Sequence, residues 1–339
     1  MTKPFPSFLP DDAIYHWNAR DGWPIRVARL AADRAAGRAR GSLLFLNGRG
    51  DNLEKYAEAV NQWAAEGWNV DSFDWRGQGG SGRLAAHAPM LGHVEDFELW
   101  LGDLEAYGAQ WRSRTEGPHV IIGHSMGGHL LLRALAEQRV QADAAVLVAP
   151  MLGIVGGGVP PAVARRISEA VCALGLVERP LWPERSRTPE REAALRGRLT
   201  HSLERFEQEQ QARRASPELA LDAPSWGWLR AAYRSIDRLE TPGLVEQVAT
   251  PILLLASRVD RLVSVAAIEA LARRLPDAQL HVYGAEAAHE ILREADPVRD
   301  DALARIAAFL DDKAPALAPA PTSTELAPER TSGQAEARE

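Results

Sequence analysis

One short segment, residues 123–128, restricts the possible folds of this chain more than any other. Its sequence, GHSMGG, matches the pattern G-x-S-x-G. An apolar run typical of a strand precedes it at residues 119–122, and an apolar helical stretch follows at 126–138. Small residues around the serine let a strand and a helix join through a tight turn that points the serine hydroxyl out of a sheet. The segment therefore predicts a strand–turn–helix unit with Ser125 as a candidate nucleophile.

The same alternation of strand and helix runs through most of the chain. The turn Arg20-Asp21-Gly22 lies between two strand-like runs, 14–18 and 24–30, and predicts a hairpin. Further strands are predicted at residues 42–46, 70–75, 119–123, 144–149, 252–256 and 279–283. Helices are predicted at residues 53–65, 96–111, 126–138, 265–274 and 297–310. Short apolar strands separated by helices predict an α/β fold, with a mostly parallel central sheet and helices on both faces.

The alternation is interrupted after Pro150, where about 90 residues of irregular helical character precede Pro251. We therefore expect a first part of the core at residues 1–150, a helical insertion at 151–240 and a second part of the core at 241–312. The remaining residues, 313–339, are rich in proline, alanine and polar side chains. Such a segment has little apolar bulk to bury, and it predicts a disordered tail.

Composition and charge exclude several classes of protein. Apolar residues make up 46% of the chain, which is enough for a large core, and the net charge of −7 argues against nucleic acid as a partner. A single cysteine, Cys172, excludes an internal disulfide and a four-cysteine zinc site. No apolar run resembles a signal peptide or approaches the length of a membrane helix. We expect a cytoplasmic enzyme or binding protein.

A serine nucleophile needs a base, and the base needs an orienting acid. In this type of fold the three follow in the order serine, acid, histidine, each after a strand. Of nine histidines, only His289 lies in the loop after the last predicted strand. Asp260 directly follows the strand 252–256, whereas the other aspartates considered precede a strand, lie in the insertion or follow the histidine. The sequence therefore predicts the set Ser125, Asp260 and His289.

Stabilising an oxyanion requires two N–H donors close to the serine. Met126 supplies one because it directly follows the nucleophile. The second is expected in the loop Asn47-Gly48-Arg49-Gly50-Asp51, which follows the strand 42–46, with Arg49 best placed. Nothing in this arrangement calls for a metal ion or an organic cofactor.

Five segments together resemble the α/β-hydrolase superfamily, in particular its lysophospholipase and monoacylglycerol lipase-like branch, which is grouped with serine aminopeptidase-type hydrolases. They are NGRGDNLEKY (47–56), DWRGQGGSGR (74–83), GHSMGGHLLLR (123–133), PILLLASRVDRLV (251–263) and AHEILRE (288–294). The resemblance implies the α/β-hydrolase fold over about residues 10–312, with Ser125, Asp260 and His289 as the triad and Arg49 and Met126 as oxyanion donors. It also implies that residues 151–240 form a helical cap over an acyl pocket. The chain departs from the family at Asn47-Gly48, where His-Gly is usual.

These observations predict a serine hydrolase that cleaves carboxylic esters, and the resemblance implies a lipid-like substrate such as a lysophospholipid or a monoacylglycerol. Transient contact of the cap with a membrane surface is a further expectation. Two alternatives remain open. One is an aminopeptidase-type enzyme, with Glu204, Glu207 or Glu209 holding the substrate's free amine. The other is a ligand-binding member of the fold with low turnover.

Overall fold

The computed structural model describes residues 8–33, 39–182 and 188–316. Within these residues the strands form one sheet of eight. The strands are β1 (Ile14–Asn18), β2 (Pro24–Leu30), β3 (Gly41–Leu46), β4 (Trp68–Phe73), β5 (His119–His124), β6 (Ala144–Val148), β7 (Ile252–Ser257) and β8 (Ala278–Tyr283). Their order in the sheet is β1-β2-β4-β3-β5-β6-β7-β8.

Most of the sheet is parallel. The strands β1 and β2 form the predicted antiparallel hairpin, with Tyr15 opposite Val27, and β2 also pairs antiparallel with β4. All pairings from β4 through β3, β5, β6 and β7 to β8 are parallel. Strands β3, β5, β6 and β7 are buried along their whole length, as expected for a sheet covered on both faces. The predicted α/β fold with a mostly parallel sheet is confirmed.

Helices lie between the strands, and one more follows the last strand. They are α1 (Ala57–Ala65), α2 (Glu98–Arg114), α3 (Met126–Ala136), α4 (Pro161–Ala173), α5 (Pro189–Leu199), α6 (Leu203–Ala215), α7 (Trp226–Glu240), α8 (Val265–Ala272) and α9 (Asp296–Lys313). The connection through α1 leads from β3 to β4, whereas those through α2, α3 and α8 run along the sheet in the opposite direction. Because crossovers between parallel strands are right-handed, α1 lies on one face and these three helices lie on the other.

Most predicted elements differ from the structure by one to three residues at an end, and the structure gives the cause of two of these differences. The strand predicted at 70–75 ends at Phe73, because the Asp74 carboxylate turns to the neighbouring loops and accepts hydrogen bonds from the N–H groups of Leu53 and Gly80, at 2.9 and 2.8 Å. The helix predicted at 53–65 starts with a 3₁₀ turn, Leu53–Tyr56, in which the Asn52 side chain accepts a hydrogen bond from Lys55 N–H. Both differences are local, and both occur where a side chain binds backbone groups.

The four helices α4 to α7 lie between β6 and β7, within the range predicted as an insertion. The predicted tail begins at Lys313, which is the last residue of α9, and residues 317–339 fall outside the described part of the chain. In the ranges that the structure describes, no helix combines the length and the apolar character needed to cross a bilayer.

The turn between β5 and α3 brings backbone atoms unusually close together. A Cβ added to Gly123 would lie 2.7 Å from Gly127 O, and one added to Gly128 would lie 2.9 Å from Gly123 O. A Cβ on Gly127 would collide with the carbonyl oxygens of Leu46 and Asn47, at the end of β3. Glycine is therefore required at all three positions for β3, β5 and α3 to approach one another.

The variant Gly127→Ala should lower the free energy of unfolding by about 1–3 kcal/mol, because the carbonyl groups that it meets belong to buried backbone. Gly102→Ala is the matched control. Gly102 also lies in a helix, α2, and an added Cβ meets nothing within 4 Å, so this change should raise stability by about 0.5–1 kcal/mol. Urea unfolding of both variants measures the difference, and equal stabilities would contradict the close approach.

Candidate active site

Ser125 lies at the point where β5 ends and α3 begins, in a conformation that side-chain-bearing residues rarely adopt. Its φ and ψ are 52° and −115°. The turn is held in place because Ser125 N–H donates to Val148 O at 2.9 Å, while Ser125 O accepts from the N–H groups of His129 and Met151, both at 3.0 Å. A strained residue of this kind costs about 1–3 kcal/mol and persists only where its surroundings fix it.

His289 and Asp260 lie beside Ser125, as the sequence predicted. His289 Nε2 is 3.0 Å from Ser125 Oγ, and His289 Nδ1 is 2.7 Å from Asp260 Oδ2. The three residues come from loops after β5, β7 and β8. Because parallel strands end at the same edge of the sheet, loops that are far apart in sequence meet there.

The Asp260 carboxylate is also anchored to its own loop. Its Oδ1 accepts hydrogen bonds from the N–H groups of Leu262 and Val263, at 2.7 and 3.0 Å. Burial alone would raise the pKa of Asp260, but His289 and these two N–H groups outweigh burial and hold the pKa below its ordinary value. The carboxylate is therefore ionised at neutral pH and fixes the orientation of the imidazole.

The loop after β3 passes directly over the serine. A Cβ added to Gly48 would lie 3.3 Å from Ser125 Cβ, so Arg49 follows immediately beside the nucleophile. Within the described ranges, neither Arg49 N–H nor Met126 N–H donates to another residue, whereas Gly48 N–H and Gly50 N–H are bound by the side chains of Asp51 and Gln78. The two predicted donors are thus available to a ligand.

Asn47 occupies the position where histidine is usual in the family that the sequence resembles. Its side-chain Nδ2 donates to Phe73 O at 3.2 Å, and its backbone carbonyl oxygen accepts from Trp75 Nε1 at 2.8 Å. The amide thereby ties the loop after β3 to the end of β4, and the departure from the family pattern leaves the loop anchored.

A buried network of ion pairs joins the loop after β3 to the loop of His289, and the sequence alone did not predict it. Lys55 Nζ lies 2.7 Å from Asp51, 2.6 Å from Glu290 and 3.3 Å from Glu209. Burial alone would lower the pKa of Lys55, but the three carboxylates outweigh it and raise the pKa. Arg293 contacts the same two glutamates, at 2.6 and 2.5 Å. Lys55, Asp51 and Glu290 all lie in the segments that carry the family resemblance, which is the signal that could have found them.

This network connects three parts of the protein. Asp51 Oδ2 accepts from Gly48 N–H at 2.8 Å and so fixes the loop that carries Arg49. Glu290 directly follows His289 in the chain, and Glu209 belongs to α6. The loop after β3, the loop of His289 and the helices of the insertion are therefore joined through Lys55.

The insertion also contacts the site through its backbone. The N–H groups of His289 and Glu290 donate to Arg198 O and Leu199 O at the end of α5, at 3.4 and 2.7 Å. On another side of the site, Gly92 N–H donates to Ala223 O at 3.0 Å. The end of α5 thus lies against the loop of His289, and the segment before α7 lies against the loop of Gly92.

Comparisons with known proteins agree with this architecture. Residues 37–296 match the family described as serine aminopeptidase, S33. The chain is 31% identical over 317 residues to lysophospholipase L2 of Escherichia coli K12, covering 86% of this chain and 85% of that protein. It is 28% identical over 274 residues to the probable lysophospholipase L2 of Haemophilus influenzae, covering 79% and 83% respectively.

Among solved structures, a soluble variant of the monoglyceride lipase of Saccharomyces cerevisiae, in complex with a substrate analogue, superposes with a TM-score of 0.71. It is 16% identical in sequence, and the match covers 92% of this chain and 99% of that one. These findings confirm the predicted α/β-hydrolase fold, the predicted resemblance to lysophospholipases and monoacylglycerol lipases, and the prediction of an ester hydrolase. The chain belongs to the α/β-hydrolase family described as serine aminopeptidase, S33.

Proposed function

We propose that this chain hydrolyses the carboxylic ester of lysophospholipids through an acyl-enzyme on Ser125. The observation that carries the proposal is the pair of hydrogen bonds that runs from Asp260 through His289 to Ser125 Oγ. A serine hydroxyl is a poor nucleophile by itself, and this arrangement gives it a base whose orientation is fixed.

In the first half of the reaction, Ser125 Oγ attacks the ester carbonyl carbon while His289 Nε2 takes the hydroxyl proton. The Asp260 carboxylate stabilises the imidazolium that forms. Negative charge develops on the carbonyl oxygen, which accepts hydrogen bonds from Arg49 N–H and Met126 N–H. The bond between the carbonyl carbon and the leaving oxygen then breaks, and His289 gives its proton to the departing alcohol.

The second half of the reaction repeats these steps with water. His289 Nε2 takes a proton from a water molecule, whose oxygen attacks the acyl carbon of the acyl-enzyme. The same two N–H groups hold the second oxyanion. When the bond to Ser125 Oγ breaks, His289 returns the proton to the serine and the fatty acid leaves. No step in this sequence requires a metal ion or cofactor.

The relatives support a lysophospholipid as substrate, because two of them are named lysophospholipase L2 and match most of the chain. A monoacylglycerol is the second candidate, supported by the similarity in fold to a monoglyceride lipase. Both substrates place a long acyl chain on a glycerol ester. In the proposal, helices α4 to α7 act as the cap that covers this chain.

The aminopeptidase alternative needs an acidic side chain that is free to bind an amine. Glu209 is not free, because it contacts both Lys55 and Arg293. Glu204 and Glu207 lie at the surface of α6. The other alternative, a ligand-binding protein with low turnover, is disfavoured by the fully assembled hydrogen-bond chain, and a turnover measurement separates it from an enzyme.

A cytoplasmic location is part of the proposal and is supported by the single cysteine, Cys172, which is buried as a free thiol.

Contact of the cap with a membrane surface is also part of the proposal. Helix α4 exposes the apolar side chains of Val163 and Ile167, and Leu174, which directly follows the helix, is 77% exposed and continues this stripe. An apolar stripe flanked by arginine is typical of helices that lie in a membrane interface.

A fluorophosphonate should label the protein once per chain, and Ser125→Ala should abolish the labelling because it removes the nucleophile. Ser113→Ala, on the outer surface of α2, is the matched control and should label like the wild type. Hydrolysis of p-nitrophenyl esters of increasing chain length measures turnover and pocket size. Asp260→Asn should lower kcat by about 10³–10⁴-fold while the fold is retained. Full labelling of the Ser125→Ala variant would refute the assignment.

Lys55→Met should reduce the rate constant for labelling and kcat about 10- to 100-fold, because the Arg49 loop and the His289 loop lose their common support. Glu209→Gln removes the charge on α6 that faces Lys55 and Arg293 but leaves Asp51, Lys55 and Glu290 in place; it is the matched control and should change kcat less than 3-fold. Lys55→Arg keeps the charge and should recover part of the rate if Lys55→Met folds poorly. A lowered melting temperature with an unchanged rate constant for labelling would show that Lys55 only stabilises the fold.

Replacing both Val163 and Ile167 with glutamate should weaken sedimentation with phosphatidylcholine vesicles, because the apolar stripe of α4 would become charged. The turnover of a short, soluble ester should stay unchanged, since neither residue contacts the site. Equal sedimentation of the variant and the wild type would contradict membrane contact through α4.

A further inference from the structure

We propose that the guanidinium group of Arg49 forms the subsite for the phosphate group of a lysophospholipid. The inference rests on the proposed function and extends it from the reacting ester to the headgroup. Arg49 would then act twice on one substrate molecule, with its N–H on the carbonyl oxygen and its side chain on the phosphate.

The Arg49 side chain has an incomplete set of partners. Nη1 donates to Asp222 O at 3.1 Å, and the guanidinium carbon lies 5.7 Å from the centre of the Trp228 ring. No acceptor in the described part of the chain binds Nε or Nη2, and neither atom is among the fully buried polar atoms there. An arginine normally fills its planar fork with a carboxylate or a phosphate, and here that edge of the fork is open.

Arg49 also lacks a counterion of its own. Asp51 and Asp222 are close enough to act electrostatically on Arg49, but no carboxylate among the described residues lies within 4.0 Å of its guanidinium. Asp51 is bound to Lys55, and Asp222 is bound to Arg213. Burial among protein atoms lowers the pKa of Arg49. A cation in such surroundings without a counterion is costly unless an anion binds there.

The Arg49 guanidinium also lies where a lysophospholipid headgroup would be. The guanidinium lies between Gly92 and the 221–224 segment, since a Cβ added to Gly92 would be 3.0 Å from Nη1. Its own backbone N–H is the proposed oxyanion donor. In a lysophospholipid the phosphate is separated from the ester by one glycerol unit, a distance comparable with the reach of an arginine side chain from its own N–H. A monoacylglycerol has the same ester and no anion for this group to bind.

An alternative role is purely structural, with Arg49 tying the insertion to the loop after β3 through Asp222 O. The two roles differ in their dependence on substrate. A tether would support every substrate equally, whereas a phosphate subsite would favour only the substrate that carries phosphate.

The test compares a lysophosphatidylglycerol with a monoacylglycerol of the same short acyl chain, both below their critical micelle concentrations. Arg49→Met should lower kcat/KM for the lysophospholipid about 10- to 100-fold more than for the monoacylglycerol, which is the effect expected for losing a charged hydrogen bond. Arg49→Lys should lie between the wild type and Arg49→Met, because it keeps the charge without the fork. Arg305→Met, which removes a surface arginine on α9, should leave the ratio of the two kcat/KM values unchanged.

A second readout uses glycerol phosphate as a competitive inhibitor of monoacylglycerol cleavage, and the inhibition should be lost in Arg49→Met. If Arg49→Met lowers kcat/KM equally for both substrates, the subsite is refuted and the proposed function remains intact. If the wild type cleaves neither ester, the proposed function itself fails.

Discussion

The strained turn at Ser125 is the constraint on which the rest of the site depends. A positive φ at a residue with a side chain costs free energy, and this cost is met by contacts that only glycine permits around it. Gly123 and Gly128 let the helix approach its own strand, while Gly127 lets it approach the end of β3. The same contacts bring Gly48 against the serine. The same close packing therefore sets both the position of the Ser125 side chain and the position of the oxyanion loop.

Close approach of these loops creates an electrostatic problem, which the Lys55 network addresses. Asp51 fixes the loop after β3 by binding its backbone, and Glu290 follows His289, so two buried carboxylates converge near the site. Left alone, each would be strongly disfavoured in its charged form. Lys55 and Arg293 compensate them, and Glu209 extends the network to α6. Buried charge here joins segments that the sheet by itself would not hold together.

The sequence predicted those parts of the molecule that follow from local rules. The hairpin, the order of strands and helices and the meeting of Ser125, Asp260 and His289 depend on periodicity and on the common edge of a parallel sheet. The end of β4 was predicted two residues too late, because the Asp74 carboxylate binds Leu53 N–H, a contact between distant residues. The Lys55 network also depends on contacts between distant residues. Its members are separated by up to 242 positions, between Asp51 and Arg293, so their proximity does not follow from a local pattern.

The charged side chains around the site distinguish the candidate activities of this family better than the reacting residues do. Peptide and ester hydrolysis can use the same serine, histidine and aspartate, so selectivity must arise around them. Glu209 on α6 is already compensated by Lys55 and Arg293, and it is therefore not free to hold an amine. Arg49, beside the serine, keeps two donor atoms without an acceptor in the described part of the chain. In our proposal this cation binds an anionic group of the substrate, and among glycerol esters a phosphate supplies one.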